Sequence, residues 1–569
     1  MLPIKLYARD NYSYFISFPY DKYLVEKLKS LPGCSWSKPS RAWIGRYIFK
    51  DIVIKELFED PLIKSGAFIS KDETLDDYQA YKDFCLELDS LKVQDGSQFD
   101  ALTIVDKSIK ADELGDHQKV GSAFMVVGER VLLADAVGLQ KTTTALNACL
   151  ILEKIRDVHK VIYFTLASLR WQVADEIVKF TGKKVIVVDG SKEERENRYD
   201  EWKRSDAMFL VCHYELLVHD SKLLTRLKPS IIIADEVSRV KNFRSKSAKT
   251  MARMSSRWFW ALGATPLEND FDEIFAIMRV VNPEMLGPFN NFKTYFAKVN
   301  FWGAIEKWYP EKIKEFIKRI SPFILRRTNE DIGRVLPPAE IIHHWLVMTK
   351  EQKALYASLK KDAKDKAEEE ENYQALIASL VKIREVCDFP DLVDPSASVS
   401  SPKMDRLVKI VKELAGDEKV VVFTQWERAA DRIRDRLEKE VIGTVFVSGR
   451  IKGPDRQDAV EAFLESKEKR VLVTTDCLAF GMNLQKANNM VIFDLLYNPA
   501  KMKQRVGRIK RPGQERSMKI HNLLCKDTVE ESMIELLGKK QGMLDLLFDP
   551  DSERVKLTTD DLKKVLVGD

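Results

Sequence analysis

From Val131 to Leu262, short apolar runs rich in β-branched and aromatic residues alternate with longer stretches of helical spacing: VLLA, VIYF, KVIVV, MFLVC, IIIA and WFWAL. Unbroken apolar runs, rather than alternating ones, mark strands covered on both faces, and such strands separated by amphipathic helices make a parallel sheet. A second series starts near Lys419 with KVVVF, TVFV, RVLVTT, MVIFD and MKIHNLL. The pattern predicts an α/β protein with two lobes, each on its own parallel sheet.

The same reading divides the rest of the chain. Residues 1–60, with YFISFPYD, LKSLPGCSW and SRAWIGRY, are dense in aromatics and turn signals and predict a small separate α+β module. Residues 61–112 are charged and helical in spacing, a connector, and 113–266 form the first lobe. Residues 267–400 predict a mainly helical insertion that ends in the linker DFPDLVDPSASVSSPK. Its run Glu368–Glu371 reads as a solvated helix face. The second lobe spans 401–527, and TVEESMIELLGKKQGMLDLL opens a C-terminal helical brace over 528–569, with Thr528 as N-cap and Glu531 three residues on.

Composition narrows the classes. The chain has 569 residues, and 92 Lys+Arg against 87 Asp+Glu leave a net charge of +5, so nucleic acid needs localised positive charge. Seven cysteines with no C-x-x-C pair point to a reducing compartment and away from structural zinc. The start MLPIKLYARDNYSYF lacks an apolar core, and no segment reaches the ~18 apolar residues of a membrane span. The expectation is a soluble protein with no membrane partner, cytoplasmic in a bacterial or viral host cell and nuclear in a eukaryote.

The first chemical signal is VLLADAVGLQKTTTAL, a strand, a Gly-containing turn, Lys-Thr and a helix. This is the layout of a phosphate cradle: Gly138 lets backbone approach, Lys141 supplies charge to the β/γ-phosphates and Thr142 a ligand to Mg²⁺. Gln140 stands where the glycine before the Lys is expected. About ninety residues on, IIIADEVSRVKN sets Asp235 and Glu236 just after an apolar strand. Beside a phosphate loop, one carboxylate holds Mg²⁺ and the other polarises the attacking water; the alternative is an N-cap followed by a surface Glu. In YNPAKMKQRVGRIKRPGQ, a helix places Gln504, Arg508 and Arg511 on one face, where arginines of a second lobe would meet the γ-phosphate. Their alternative is a basic surface patch.

In this order the segments resemble the Swi/Snf-type (sucrose non-fermenting) family of superfamily 2 helicase-like ATPases, from about Gly115 to Leu546. LGDHQKVG is similar to the adenine-reading motif, ADAVGLQKT to the phosphate loop, TLASLRWQ and CHYELL to DNA-facing segments, ADEVSRVKN to the DEAH-type motif and GATPLEND to the coupling motif. ISPFILRRTNED, LPPAE, MTKEQKALY, VSSPKMDRL, FTQW, TTDCLAFGMNL, FDLLYNP and QRVGRIKRPGQ continue the series. The resemblance implies two RecA-like lobes with helical insertions, ATP and Mg²⁺ as cofactors, and double-stranded DNA as track. Gln118 becomes the adenine reader, Lys141 and Thr142 phosphate and Mg²⁺ ligands, Asp235 a second metal contact, and Glu236 the water-activating residue. Arg508 and Arg511 become arginine fingers and Thr265 a coupling residue, while Ser168, Thr475, Gly481 and Asn483 track the DNA backbone. Capping or turn roles are the alternative for these last four. The chain departs from the family at Ala136, Gln140, Leu166 and Leu478-Ala479.

Residues 1–60 resemble the HARP domain of annealing helicases through Phe18-Pro19-Tyr20-Asp21, the LKSLPG turn, Trp36 and Ser40-Arg41-Ala42-Trp43. Arg41 and Trp43 would bind a DNA backbone and stack on an unpaired base; the alternative is that Trp36 and Trp43 form a small core. Together these features imply a monomeric motor that remodels branched DNA by fork regression, branch migration or annealing, with replication or recombination proteins as candidate partners. The rivals are a motor that displaces proteins from DNA and a non-hydrolysing DNA-binding scaffold.

Overall fold

The computed structural model describes residues 2–60, 63, 67–94, 114–264, 271–333, 337–369, 373–397, 399–414, 418–451, 453–478, 484–496, 499–511 and 514–534. The chain forms two compact units, Met1–Thr328 and Asn329–Asp569.

The first unit opens with a five-stranded sheet of β1 (Leu2–Asp10), β2 (Ser13–Ser17), β3 (Ser35–Ser37), β4 (Ala42–Arg46) and β5 (Ala67–Asp72), ordered β3-β4-β2-β1-β5. Strand β5 lies in the stretch expected to be a helical connector, and it pairs parallel to β1. The module is not separate. Asn291 donates through Nδ2 to the Cys34 carbonyl at 2.8 Å, Arg9 meets Glu284 at 2.9 Å, and Arg319 grips both oxygens of Asp51 at 2.7 Å.

Seven parallel strands then build the main sheet of this unit: β6 (Arg130–Leu133), β7 (Val161–Thr165), β8 (Val185–Val187), β9 (Phe209–His213), β10 (Ile231–Asp235) and β11 (Trp258–Leu262), joined later by one more. Strands β7 and β11 are buried at every position, as apolar runs with helices on both faces require. A hairpin of β12 (Ala297–Val299) and β13 (Ile305–Trp308) follows, and then β14 (Ile324–Leu325), which returns to pair with β6. The order is β14-β6-β11-β10-β7-β9-β8.

The second unit holds a six-stranded parallel sheet of β15 (Ala339–Leu346), β16 (Val420–Phe423), β17 (Thr444–Val447), β18 (Val471–Thr474), β19 (Asn489–Ile492) and β20 (Met518–Cys525), ordered β15-β20-β19-β16-β18-β17. The two-sheet α/β prediction holds. Residues 267–400, however, supply strands to both sheets as well as helices. Strand β14 is two residues long, and β15 is an edge strand whose residues are largely half-buried or exposed, so neither shows an apolar run. No described helix is long and apolar enough to cross a membrane.

Candidate active site

The strand β6 runs out at Leu133, and the chain turns through Gly138 into the helix Lys141–Arg156. Gly138 sits at φ 92°, a conformation that disfavours a side chain. Gln140 is also left-handed, at φ 54° and ψ 49°, so it adopts the backbone shape of the glycine it replaces and carries its Cβ there. A helix start of this kind offers the N–H groups of its first turn to an anion. Lys141 donates through Nζ to the carbonyls of Asp135 at 2.8 Å and Ala136 at 3.2 Å, which holds its charge over the loop.

Gln118 is fully buried on the helix Asp116–Gly128. Its Oε1 accepts from the Gly115 N–H at 2.9 Å, and its Nε2 donates to Gln140 Oε1 at 3.3 Å. The side chain at position 140 thus links the phosphate loop to the proposed adenine reader, a contact absent with glycine.

Asp235 ends β10, and Glu236 follows in a left-handed conformation, φ 53° and ψ 53°, before the turn Val237–Val240. Asp235 Oδ1 accepts from the Glu236 N–H at 3.0 Å, and its backbone carbonyl accepts from the Tyr214 hydroxyl at 2.6 Å. Burial, then the adjacent Glu236 carboxylate, pushes the Asp235 carboxyl up to about 7, against the pull of Lys141 and Tyr163. Tyr163, buried on β7, donates to Asp235 Oδ2 at 3.1 Å and also hydrogen-bonds Thr142; burial lifts its own pKa well above the usual value, so it stays a donor. Thr142 and Asp235 therefore share one tyrosine, and this pair of hard oxygens suits Mg²⁺, which takes one or two protein ligands and keeps water and phosphate for the rest.

Two residues of this site receive no role from the sequence. Tyr163 reads as an apolar strand residue. Arg327, in ILRRTNED, grips the fully buried Asp135 through Nε at 3.1 Å and Nη2 at 2.5 Å and donates through Nη1 to the His117 carbonyl. One arginine from the end of the unit thereby ties the phosphate loop to the helix of Gln118, across 192 residues of sequence.

In the second unit the helix Pro499–Val506 stops before Gly507, and Arg508 and Arg511 lie in the turns that follow. The single helical face predicted for Gln504, Arg508 and Arg511 is corrected accordingly: glycine at 507 ends the helix. Each arginine folds back, Arg508 Nε to the Gln504 carbonyl at 3.4 Å and Arg511 Nε to the Gly507 carbonyl at 2.8 Å. Their neighbour Arg505, to which sequence reasoning gave no role, is fully buried and holds Asp476 at 2.6 Å and the Asp494 carbonyl at 3.2 Å.

Ser168 is exposed in the turn after β7, and Thr475 is buried just past β18, its carbonyl accepting from the Thr474 hydroxyl at 3.1 Å. Thr265, Gly481 and Asn483 lie outside the described residues. Arg41 is exposed in a left-handed turn conformation, φ 47°. Trp43 is only 6% exposed, packed in β4 edge-on to Trp36 with ring centroids 5.9 Å apart. The base-stacking role expected of Trp43 is therefore corrected, because its ring faces are spent on the module's own core; Trp36, 50% exposed, is the tryptophan left at the surface.

Residues 117–392 match the model of the SNF2-related domain and residues 402–513 that of the helicase conserved C-terminal domain. A putative ATP-dependent helicase/translocase of Bacillus subtilis is 26% identical over 474 residues, 79% of this chain and 50% of that one. A CHD3-type chromatin-remodeling factor of Arabidopsis thaliana is 27% identical over 446 residues, 72% of this chain and 35% of that one. A DNA repair and recombination protein, RAD54-like, of Drosophila ananassae is 24% identical over 516 residues, 80% of this chain and 65% of that one. The chain spans between about a third and two thirds of the length of these relatives.

Proposed function

The chain belongs to the SNF2-related family of helicase-like proteins, and from that premise we propose that it is a DNA-dependent ATPase that translocates on double-stranded DNA and remodels branched DNA. The observation that carries the ATPase reading is the convergence of Lys141, Thr142, Asp235 and Glu236 beyond the carboxyl ends of β6 and β10 in one parallel sheet, the edge at which such sheets take ligands. When bound, Mg²⁺-ATP supplies the phosphoanhydride whose hydrolysis drives the motor.

The chain's own residues divide the remaining work. Lys141 and the first-turn N–H groups of its helix neutralise the β/γ-phosphates, and Thr142 and Asp235 hold the metal. Glu236, projected by its left-handed backbone, takes the proton of the attacking water. Gln118 reads the adenine, and Arg508 and Arg511 act as the transition-state arginines. Ser168, Thr475, Gly481 and Asn483 follow the DNA backbone. The preference for branched over linear DNA rests on the likeness of residues 1–60 to the HARP domain.

The test is steady-state ATPase with no DNA, linear duplex, single strand and a four-way junction, for the wild-type chain, Lys141→Ala and Glu236→Gln. Duplex should stimulate turnover, the junction should stimulate it further, and both variants should lose at least about a thousandfold. Wild-type turnover equal to that of both variants on every DNA would leave a non-hydrolysing scaffold. Equal stimulation by linear and branched duplex would favour the second reading, a motor that displaces proteins, for which the likeness to a chromatin-remodeling factor speaks.

A further inference from the structure

Phe301 and Trp302 stand side by side at the tip of the β12–β13 hairpin, 95% and 87% exposed, with their rings edge-on at 5.4 Å. Scattered exposed apolar residues are ordinary, whereas two adjacent large aromatics on a fixed projection forgo several kcal/mol of burial and call for an occupant. The projection is fixed. Asn300 closes the turn three times: its N–H donates to the Ala304 carbonyl, its carbonyl accepts from the Gly303 N–H, and its Oδ1 accepts from the Ala304 N–H, each at 2.9 Å. Gly303 takes φ 75°, and Lys293, from the helix Phe289–Phe296 beneath, donates to the Gly303 carbonyl at 2.6 Å. At the root, Ala297 and Trp308 are 2% and 3% exposed, and Trp308 lies edge-on to Phe271 and Phe292.

The charges on the hairpin point to the class of occupant. Lys298 and Lys307 face each other across the ladder, both exposed, and like charges directly opposite destabilise a hairpin. Glu306 relieves Lys298 at 2.8 Å, and among the described residues no carboxylate is paired with Lys307. Exposed aromatic rings on the same hairpin as Lys307 match one ligand chemistry, a base with its phosphate.

We propose that the hairpin Ala297–Trp308 is a DNA-reading pin, in which the ring of Phe301 or Trp302 stacks on an unpaired base beside a duplex while Lys307 meets the adjoining phosphate. This rests on the DNA-translocase reading and moves base stacking from Trp43, buried in the N-terminal module, to the main body of the first unit.

The experiment uses the full chain, a forked duplex with 2-aminopurine at the first unpaired position, and the same sequence fully paired. Wild type should bind the fork about tenfold more tightly than the duplex and change the 2-aminopurine fluorescence. The Phe301→Ala/Trp302→Ala variant should lose both effects while its ATPase on linear duplex stays within about twofold of wild type, and Trp302→Phe should keep most of the preference. A double variant that binds the fork and changes the fluorescence as wild type does overturns the pin and leaves the motor. A wild type that binds neither DNA overturns the motor and the pin with it. Unchanged fork binding with loss of self-association in sedimentation, or loss of binding to phosphatidylserine vesicles, overturns the pin in favour of a protein or lipid contact.

Discussion

Both units bury charge behind their working edges, Arg327 with Asp135 in the first and Lys403 with Asp388 and Glu530 in the second, and the first adds strained backbone at the chemistry. In the first, the residues at the chemistry hold left-handed backbone: Gln140 and Glu236 both lie near φ 54°, a conformation that costs a residue with a side chain roughly 1–2 kcal/mol. In the second, charge is buried behind the corresponding loops. Lys403, fully buried, bridges Asp388 at 2.9 Å and Glu530 at 2.6 Å and donates to the Phe493 carbonyl at 3.1 Å. Phe493 precedes Asp494, whose carboxylate accepts the Gln425 N–H at 2.8 Å. Strain survives where neighbours hold a loop in the shape its ligand needs. A buried ion network imposes one arrangement on the elements it joins, here the helix Pro402–Glu413, the end of the helix Tyr373–Asp388, and the chain after β20.

The largest expected effect tests the buried charge of the second unit. Lys403→Met strands two buried carboxylates and should lower the stability of the second unit by about 3–5 kcal/mol, read as a shifted denaturant midpoint for that unit with the first unit's transition in place. A midpoint that barely moves would show that the network is incidental. Arg327→Met places the same kind of fault in the first unit. Asp135 loses its partner at a cost of about 3 kcal/mol, and the KM for ATP should rise, because the loop and the helix of Gln118 are no longer tied.

A pH titration separates the units further. Burial, then the neighbouring His344, pushes His521 on β20 down to about 4. An unfolded histidine takes its proton near 6.5, before the folded one does, so stability is present above 6.5 and falls as pH drops towards 4. The second unit should lose about 2 kcal/mol by pH 5, and His521→Phe should flatten that slope. The smallest effect is at position 140. Because Gln140 already holds the glycine conformation, Gln140→Gly should change stability by less than about 1 kcal/mol, relief of strain being offset by a more flexible unfolded chain. Turnover should change less than about tenfold, and a large rise would mean that the Gln140 side chain obstructs the phosphates.

The strands of both main sheets were legible wherever both faces are covered, since burial on both sides writes an unbroken Val/Ile run. Strand β14 escaped because two residues are too few to show a run, and β5 and β15 because they carry mixed side chains. The ordered motifs identified the family and the carboxylate pair, and local sequence placed Lys141 in its turn. Hidden were the contacts that span the unit: Arg327 with Asp135, Tyr163 with Asp235, Gln118 with Gln140. Each joins residues far apart in sequence, and no periodicity reports such a pairing. Trp36 and Trp43 show the converse, two alike residues directly opposite on one face of a hairpin, where Trp36 lies on the edge strand and Trp43 on the strand inside the sheet.

The return of β14 to β6 also governs how this chain emerges from a ribosome. Strand β6 is made by residue 133 and its edge partner only at residue 324, so at roughly 5–20 residues per second its apolar edge waits on the order of ten to forty seconds for cover. The N-terminal sheet waits as well, because the partners of Arg9, Cys34 and Asp51 are Glu284, Asn291 and Arg319. A nascent chain stopped short of Leu325 exposes a bare sheet edge, and it is there that chaperones are needed and that truncated products will aggregate.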